Sequence, residues 1–371
     1  MSKTEFLYLS EPDLIKAGVL DAGKCTDVCE EVFRLLHNGD YLMGGPNHNS
    51  HGLVLVFPEH PEFPNMPAAG PERRFIAMPT YLGGRFAVCG EKWYGSNVAN
   101  IKERGLPRSV LMVTINDAET CEPLAYMSGN LISSMRTGCI PGVAVRYIAN
   151  QNAETFVAVG TGPVQKATLK AMVSQLPNLK KVVAVAAHLD SAEKFITWVK
   201  QECGLDGIAM NSMEDALKLG DIVSIAASPK KPLYLKDSWI KEGATVLLTS
   251  PITADDDFWI KNQIVFDNVK MHEAYYEEGK SLGSVKKACN GWGLFYDLME
   301  QKQVPSLKES VSMGDVVCNP SLGRKDPKAK YMFVTSGQVV FDIGWGYELY
   351  QQAKRLGLGV KLPVWEEPYW K

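Results

Sequence analysis

The chain has 371 residues, which at about 150 residues per domain implies two domains or three. Lys plus Arg total 39 and Asp plus Glu 42, a formal net charge of −3 that gives no electrostatic reason to expect a nucleic-acid or membrane-surface partner. The 46% hydrophobic and 22% charged fractions are those of a soluble globular protein, and they exclude disorder, a collagen-like repeat and a disulfide scaffold.

The N-terminus, MSKTEFLYLSEPDL, carries two acids in its first dozen residues and no apolar core, so no signal peptide is expected. No run approaches the ~18 apolar residues of a membrane span. The expectation is a soluble, cytoplasmic protein. Eight cysteines are scattered along the chain, at 25, 29, 89, 121, 139, 203, 289 and 318. Only Cys25 and Cys29 lie close together, on an amphipathic helical pattern. No second pair has zinc-site spacing, so the thiols are read as reduced and mostly buried.

Up to about residue 130, short β-rich runs at 6–9, 53–57, 75–78 and 110–115 alternate with turn-rich segments. Residues 60–71 hold four prolines and one glycine and read as a loop. His48, His51 and His60 in this region are expected to be polar loop residues, with no metal. Two segments then concentrate polar groups. The first is Gly90-Glu91-Lys92-Trp93, followed by Asn97, Asn100 and Gly105-Leu106-Pro107. The second is Ser133-Ser134-Met135-Arg136-Thr137-Gly138, just before an apolar helix at 140–148. A lone lysine or arginine is more often solvated or ion-paired. The functional reading is a carboxylate clamp, in which the guanidinium gives two parallel hydrogen bonds and the ammonium a compact charge.

The middle of the chain alternates strand and helix. Residues 155–159 (TFVAV) form an apolar run short enough for a buried parallel strand. Gly160-Thr161-Gly162-Pro163-Val164-Gln165 follows at once, then a helical pattern over 164–176. Another strand is expected at 182–187, leading to a helix from Asp190 as N-cap. Further strands are expected at 208–210, 222–226, 245–248 and 264–266. This predicts a doubly wound parallel sheet.

The glycine turn stands at the strand-to-helix junction that gives such a motif meaning. Gly160 permits the tight turn. Gly162 removes a side chain so that a pyrophosphate approaches the N–H groups at the positive end of the helix, and Pro163 suits the first helical turn. Gln165 replaces the usual third glycine. The competing reading is a plain strand-to-helix turn. The second strand carries no acid at its tip. His188 there favours a 2′-phosphate and hence NADP, whereas Asp190 either caps the helix or reaches the ribose, which leaves NAD(P) open.

The C-terminal part is read as a strand at 331–335, a helix at 339–356 and a Pro/Trp-rich tail. Trp345 and Tyr347 are expected to pack rather than to bind.

Taken in order, K-W-…-N-x-x-N-…-G-L-P (from Lys92), N-D-A-E-T-C-E-P-L-A (from Asn116), S-S-M-R-T-G (from Ser133), G-T-G-x-x-Q (from Gly160) and S-G-Q-V-V-F-D (from Ser336 to Asp342) resemble the ornithine cyclodeaminase/μ-crystallin family. The resemblance spans about residues 78–359. It implies an α/β fold with a Rossmann-type domain (131–309) inserted in an α+β substrate-binding and dimerisation domain (1–130 plus 310–371). It also implies a homodimer and NAD(P)-dependent chemistry on a small amino acid or imine. By position, Lys92 and Arg136 match the family's catalytic pair at the substrate carboxylate, and Asn47, His48 and Met78 join them around the substrate. Gly160, Thr161, Gly162, Pro163, Val164 and Gln165 match the cofactor turn. Thr114, Arg136, Thr137, Ser336 and Gly337, together with His188 and Asp190, fall on the cofactor side.

Two departures bear on the substrate. The family's cyclodeaminases carry an aspartate for the substrate's side-chain amine after the fifth strand of the nucleotide domain. Here Leu248-Thr249-Ser250-Pro251-Ile252-Thr253-Ala254 precedes the acids, so Asp255 is either that catalytic group, slightly displaced, or a helix cap. Pro46-Asn47-His48 stands where the family often has a proline–arginine pair. The expectation is an oxidoreductase acting at the α-carbon of an amino acid, an N-substituted amino acid or a cyclic imine. The alternative is a cyclodeaminase-type lyase that recycles its NAD.

Overall fold

The structure is a computed structural model that describes residues 3–229, 231–285 and 293–370. Cys289 therefore lies outside the described residues. The chain divides into two compact units. The first comprises residues 1–21, 38–133 and 338–371, and the second residues 22–37 and 134–337.

The first unit is built on a mixed sheet. From one edge its strands are Val360–Trp365, Thr4–Leu9, Pro123–Ser128, Ser109–Asp117, Val88–Ser96, Arg74–Leu82 and Tyr41–Met43, with Leu53–Val56 also pairing to Arg74–Leu82. Only the Thr4–Leu9/Pro123–Ser128 pair is parallel. Strict alternation makes one face apolar and covered: Ile76, Met78, Leu82, Val88, Leu111, Val113 and Ile115 are buried. The helix Val339–Leu356 lies on that face. A Cβ at Gly90 would stand 2.6 Å from Ile343 Cδ1, and one at Gly346 3.1 Å from Met127 Cε. The expected Pro/Trp-rich tail is instead the edge strand Val360–Trp365, whose ladder partner is the far N-terminal strand. No local pattern announces that pairing.

The second unit holds a wholly parallel sheet in the order Asp206–Ala209, Lys181–Val185, Thr155–Val159, Ile222–Ile225, Thr245–Leu248, Tyr331–Val334, Gln263–Phe266 and Val311–Ser312. Its central strands are buried on both faces, as crossover helices on each side require. The strand order reverses at Thr155–Val159, the hallmark of a doubly wound nucleotide-binding sheet. Tyr331–Val334 inserts between Thr245–Leu248 and Gln263–Phe266, so residues 310–337 belong to this sheet and not to the outer unit expected from the sequence. Hydrogen-bonded partners on both edges decide this, and they come from distant sequence.

The helix Ala22–Asn38 also joins the second unit up to His37, and its Cys25 and Cys29 are buried free thiols. No helix among the described residues is long and apolar enough to cross a membrane.

Candidate active site

Lys92 is centred in Val88–Ser96, a strand that sequence periodicity did not reveal because glycines and a lysine interrupt its apolar pattern. In register it faces Met78 on one neighbour and Val113 on the other, so all three share the helix-covered face. Lys92 is buried, and its Nζ lies 2.9 Å from Asp342 Oδ2, on the first turn of Val339–Leu356. The side chains are 4% and 0% exposed. A buried cation of this kind is tolerable only with its countercharge beside it.

Thr114 pairs with Glu91 and therefore stands on the opposite face of the sheet from Lys92. Asn47 and His48 are exposed in a closed loop. Asn47 Oδ1 accepts from the Asn49 amide at 3.0 Å, the Asn49 side-chain amide donates to Asn47 O at 2.8 Å, and His48 takes φ +56°. The loop then returns beneath Met78, where a Cβ at Gly52 would stand 2.9 Å from Met78 Cγ.

In the second unit, Gly160 has φ +96°, and an added Cβ would collide with Ala226 O and stand 2.8 Å from its carbonyl carbon. Only glycine lets the chain turn this tightly beside the end of Ile222–Ile225. Gly162 caps the helix Pro163–Gln175 without a side-chain hydrogen bond, and a Cβ there would meet no atom within 4 Å. The first N–H groups of that helix thus lie at an uncrowded helix start, and Pro163 leaves one fewer to satisfy. This arrangement fits a dinucleotide pyrophosphate.

Gln165 is wholly buried, and its Oε1 accepts from Ser224 Oγ at 3.1 Å. Its side chain links helix to sheet where a third glycine would allow close packing, so its part in the cofactor turn is structural. Thr161 and Val164 flank these residues in the same turn.

Arg136, Thr137 and Gly138 lie in the helix Asn130–Ile148. A Cβ at Gly138 would stand 2.6 Å from both Ala167 C and Ala167 Cβ. That close approach seats the buried Arg136 on a helix packed directly against Pro163–Gln175.

His188, not Asp190, is the N-cap of Leu189–Cys203, and both residues are exposed beyond the end of Lys181–Val185. Asp190 falls in the first turn, where its charge favours the helix start. Asp255 is a cap: its Oδ1 accepts from the backbone N–H of Phe258 at 3.1 Å and of Asp237 at 3.1 Å. Of the two roles expected for Asp255, these bonds are those of the cap.

Sequence reasoning assigned no role to three further residues. Asp342 closes the Ser336–Asp342 segment S-G-Q-V-V-F-D, and its place there was the available signal. Asp267 follows an apolar strand directly, at the carboxyl end where ligands bind parallel sheets. His272 gave no signal, because only packing reveals that it is enclosed. No group of three or more His, Cys, Asp or Glu side chains arranged to hold a metal occurs among the described residues.

A family model for ornithine cyclodeaminase/mu-crystallin proteins matches residues 20–356. The chain belongs to that family. Among relatives, the N-((2S)-2-amino-2-carboxyethyl)-L-glutamate dehydrogenase of Staphylococcus aureus is 24% identical over 97% of this chain and 99% of its own length. Two solved structures share the family fold. Thermococcus litoralis Delta(1)-pyrroline-2-carboxylate reductase, in complex with NADH and L-proline, superposes with a TM-score of 0.77 at 22% identity, over 96% of this chain and 99% of that one. An archaeal alanine dehydrogenase dimer with bound NAD gives 0.76 at 22% identity, over 97% and 100%.

Proposed function

We propose that this protein is an NAD(P)-dependent oxidoreductase that transfers a hydride at the α-carbon of an amino acid bearing a substituted nitrogen, or of the corresponding imine. The observation that carries the reading is the Gly160–Gly162 turn at the sheet's reversal point, in a chain whose family relatives include amino-acid and imine dehydrogenases and reductases. Near full-length alignment with the Staphylococcus aureus dehydrogenase supports the N-substituted substrate class over ornithine. So does the commitment of Asp255 to backbone amides, which leaves the cyclodeaminase alternative without its expected acid.

A bound dinucleotide would supply or accept the hydride, and the Gly160–Gly162 backbone with the N–H groups at the start of Pro163–Gln175 would hold its pyrophosphate. Arg136 takes the substrate carboxylate through two parallel hydrogen bonds, which fixes the α-carbon's orientation. Lys92, held by Asp342, presents an ammonium whose proton is available to the substrate's nitrogen. Asn47 and His48 are assigned to substituent recognition. Exposed His188 is the group assigned to an NADP 2′-phosphate, so NADPH affinity in a His188→Ala variant tests that preference directly.

A homodimer completes the proposal. The sheet's outer face exposes Phe75 and Trp93, stacked at 5.5 Å, with Val110 on the same side and Leu53 79% exposed on the edge strand. An apolar surface of this kind is characteristic of an interface. The decisive assay is a screen of amino acids, and of 2-oxo-acid and amine mixtures, with NADH and NADPH. Net cofactor oxidation or reduction is the expected result. Ammonia release with no net change in cofactor would replace this reading with the lyase.

A further inference from the structure

At the carboxyl end of the strand Tyr331–Val334, Ser336 is tied down by a network that the proposed chemistry does not use. Its backbone N–H donates to Asp267 Oδ2 at 2.8 Å, and its hydroxyl donates to Asp267 Oδ1 at 3.2 Å. The same hydroxyl lies 2.7 Å from His272 Nε2, and His272 Nδ1 lies 2.9 Å from the Tyr296 hydroxyl. One arrangement of protons satisfies all these contacts. With Ser336 donating to the Asp267 carboxylate, Nε2–H donates to Ser336 Oγ and Nδ1 accepts from the Tyr296 hydroxyl, whose oxygen also lies 3.3 Å from the His272 carbonyl.

His272 is completely enclosed against Phe266, at 4.5 Å between ring centroids, and burial pushes its pKa down to about 3. It is therefore a neutral spacer and cannot charge near neutrality. Ser336 itself is only half-buried, and Gly337 beside it takes φ +72°. Buried groups thus hold a surface turn in a fixed shape. The contacts also argue against a nucleophilic serine, because Asp267 grips Ser336 directly and stands 3.8 Å from His272 Nε2.

The sheet shows what this turn faces. The Gly160–Gly162 turn follows Thr155–Val159, and Tyr331–Val334 lies three strands away in the sheet, on the side of Ile222–Ile225. At about 4.8 Å per strand this is roughly 14 Å, the direction in which a dinucleotide runs from its pyrophosphate to its second base.

We propose that Asp267 and His272 are positioning residues that, through Ser336, hold the Ser336–Gly337 turn against the nicotinamide end of the cofactor. This rests on the dinucleotide-binding reading above and extends it.

The test compares NADH with ADP-ribose, which keeps the pyrophosphate and lacks the nicotinamide, by fluorescence titration and calorimetry on the full chain. Ser336→Ala and His272→Leu are each expected to weaken NADH about tenfold, the scale of one lost hydrogen bond, and to leave ADP-ribose affinity within about twofold. His272→Gln, which can still donate to Ser336, is expected to restore the wild-type ratio. The ratio in wild type is expected to hold steady from about pH 5 to about pH 8, because the histidine stays neutral throughout. Equal losses for both ligands, or none, in Ser336→Ala would overturn the positioning role while wild-type NADH binding still upheld the dinucleotide site. Wild type that binds neither ligand would overturn both. If His272→Leu does not fold, the Ser336→Ala ratio decides alone.

Discussion

Lys92 and Asp342 stand 250 positions apart in the chain and meet in a 2.9 Å ion pair with almost no solvent exposure. One comes from the centre of a strand and the other from the first turn of the helix that covers it, so the pair forms only when helix and sheet pack. Removing either partner leaves the other charge buried.

Asp342→Leu is therefore expected to cost about 3–5 kcal/mol of stability, and the Lys92→Met/Asp342→Leu double variant distinctly less. Urea unfolding of wild type, Lys92→Met, Asp342→Leu and the double variant measures the coupling. Additive losses would mean that the two charges do not support each other. Turnover is expected to be lost in every variant that lacks Lys92.

Gly160 and Gly162 are expected to separate folding from binding. Gly160→Ala places a Cβ against Ala226 in a left-handed backbone and should destabilise by about 2–4 kcal/mol. Gly162→Val meets no protein atom at its Cβ and should fold normally while losing NADH binding. Retained NADH titration in folded Gly162→Val would contradict the assignment of this turn to the pyrophosphate.

Arg136→Ala should raise the substrate KM or abolish turnover and leave NADH affinity within about threefold, since one charge-assisted bidentate contact is lost and the cofactor turn is untouched. Wild-type kinetics in that variant would remove Arg136 from the carboxylate.

Asp255→Ala should cost about 1–2 kcal/mol through the lost cap and leave kcat unchanged. Loss of kcat in a stably folded Asp255→Ala protein would instead restore the aspartate to the reaction.

His272 carries a pH signature in stability. Burial lowers its pKa from 6.5 to about 3, so between those values the unfolded chain binds a proton that the folded chain refuses. Its contribution is fully present above pH 6.5 and is lost as pH falls toward 3, with a slope of up to about 1.4 kcal/mol per pH unit. Denaturant unfolding across this range should show a steeper slope in wild type than in His272→Gln, since the carboxylates held low in the fold, Glu30 and Asp221 among them, contribute alike to both.

Much of the second unit could be read directly from the sequence. Thr155–Val159, Ile222–Ile225 and Thr245–Leu248 fall where their apolar runs put them, because a strand buried on both faces must be continuously apolar and so marks itself. The Gly160–Gly162 turn was legible for a related reason: steric exclusion at φ +96° leaves glycine as the ready choice. Asp255 was ambiguous, since a carboxylate before a helix looks the same whether it caps or reacts. Its backbone partners decide between the two.

By itself, then, the amino-acid order determined the alternating strand–helix half, its glycine turn and the family motifs in sequence, all of which are local patterns imposed by burial and backbone sterics. Tertiary structure alone decided that Val360–Trp365 is a strand, that Tyr331–Val334 enters the parallel sheet, that Thr114 turns away from Lys92, and that Asp342 and His272 gain their partners. Each of these depends on a ladder register or an enclosed contact between residues far apart in the chain. Such contacts exist only after folding has offset the entropy of bringing those residues together.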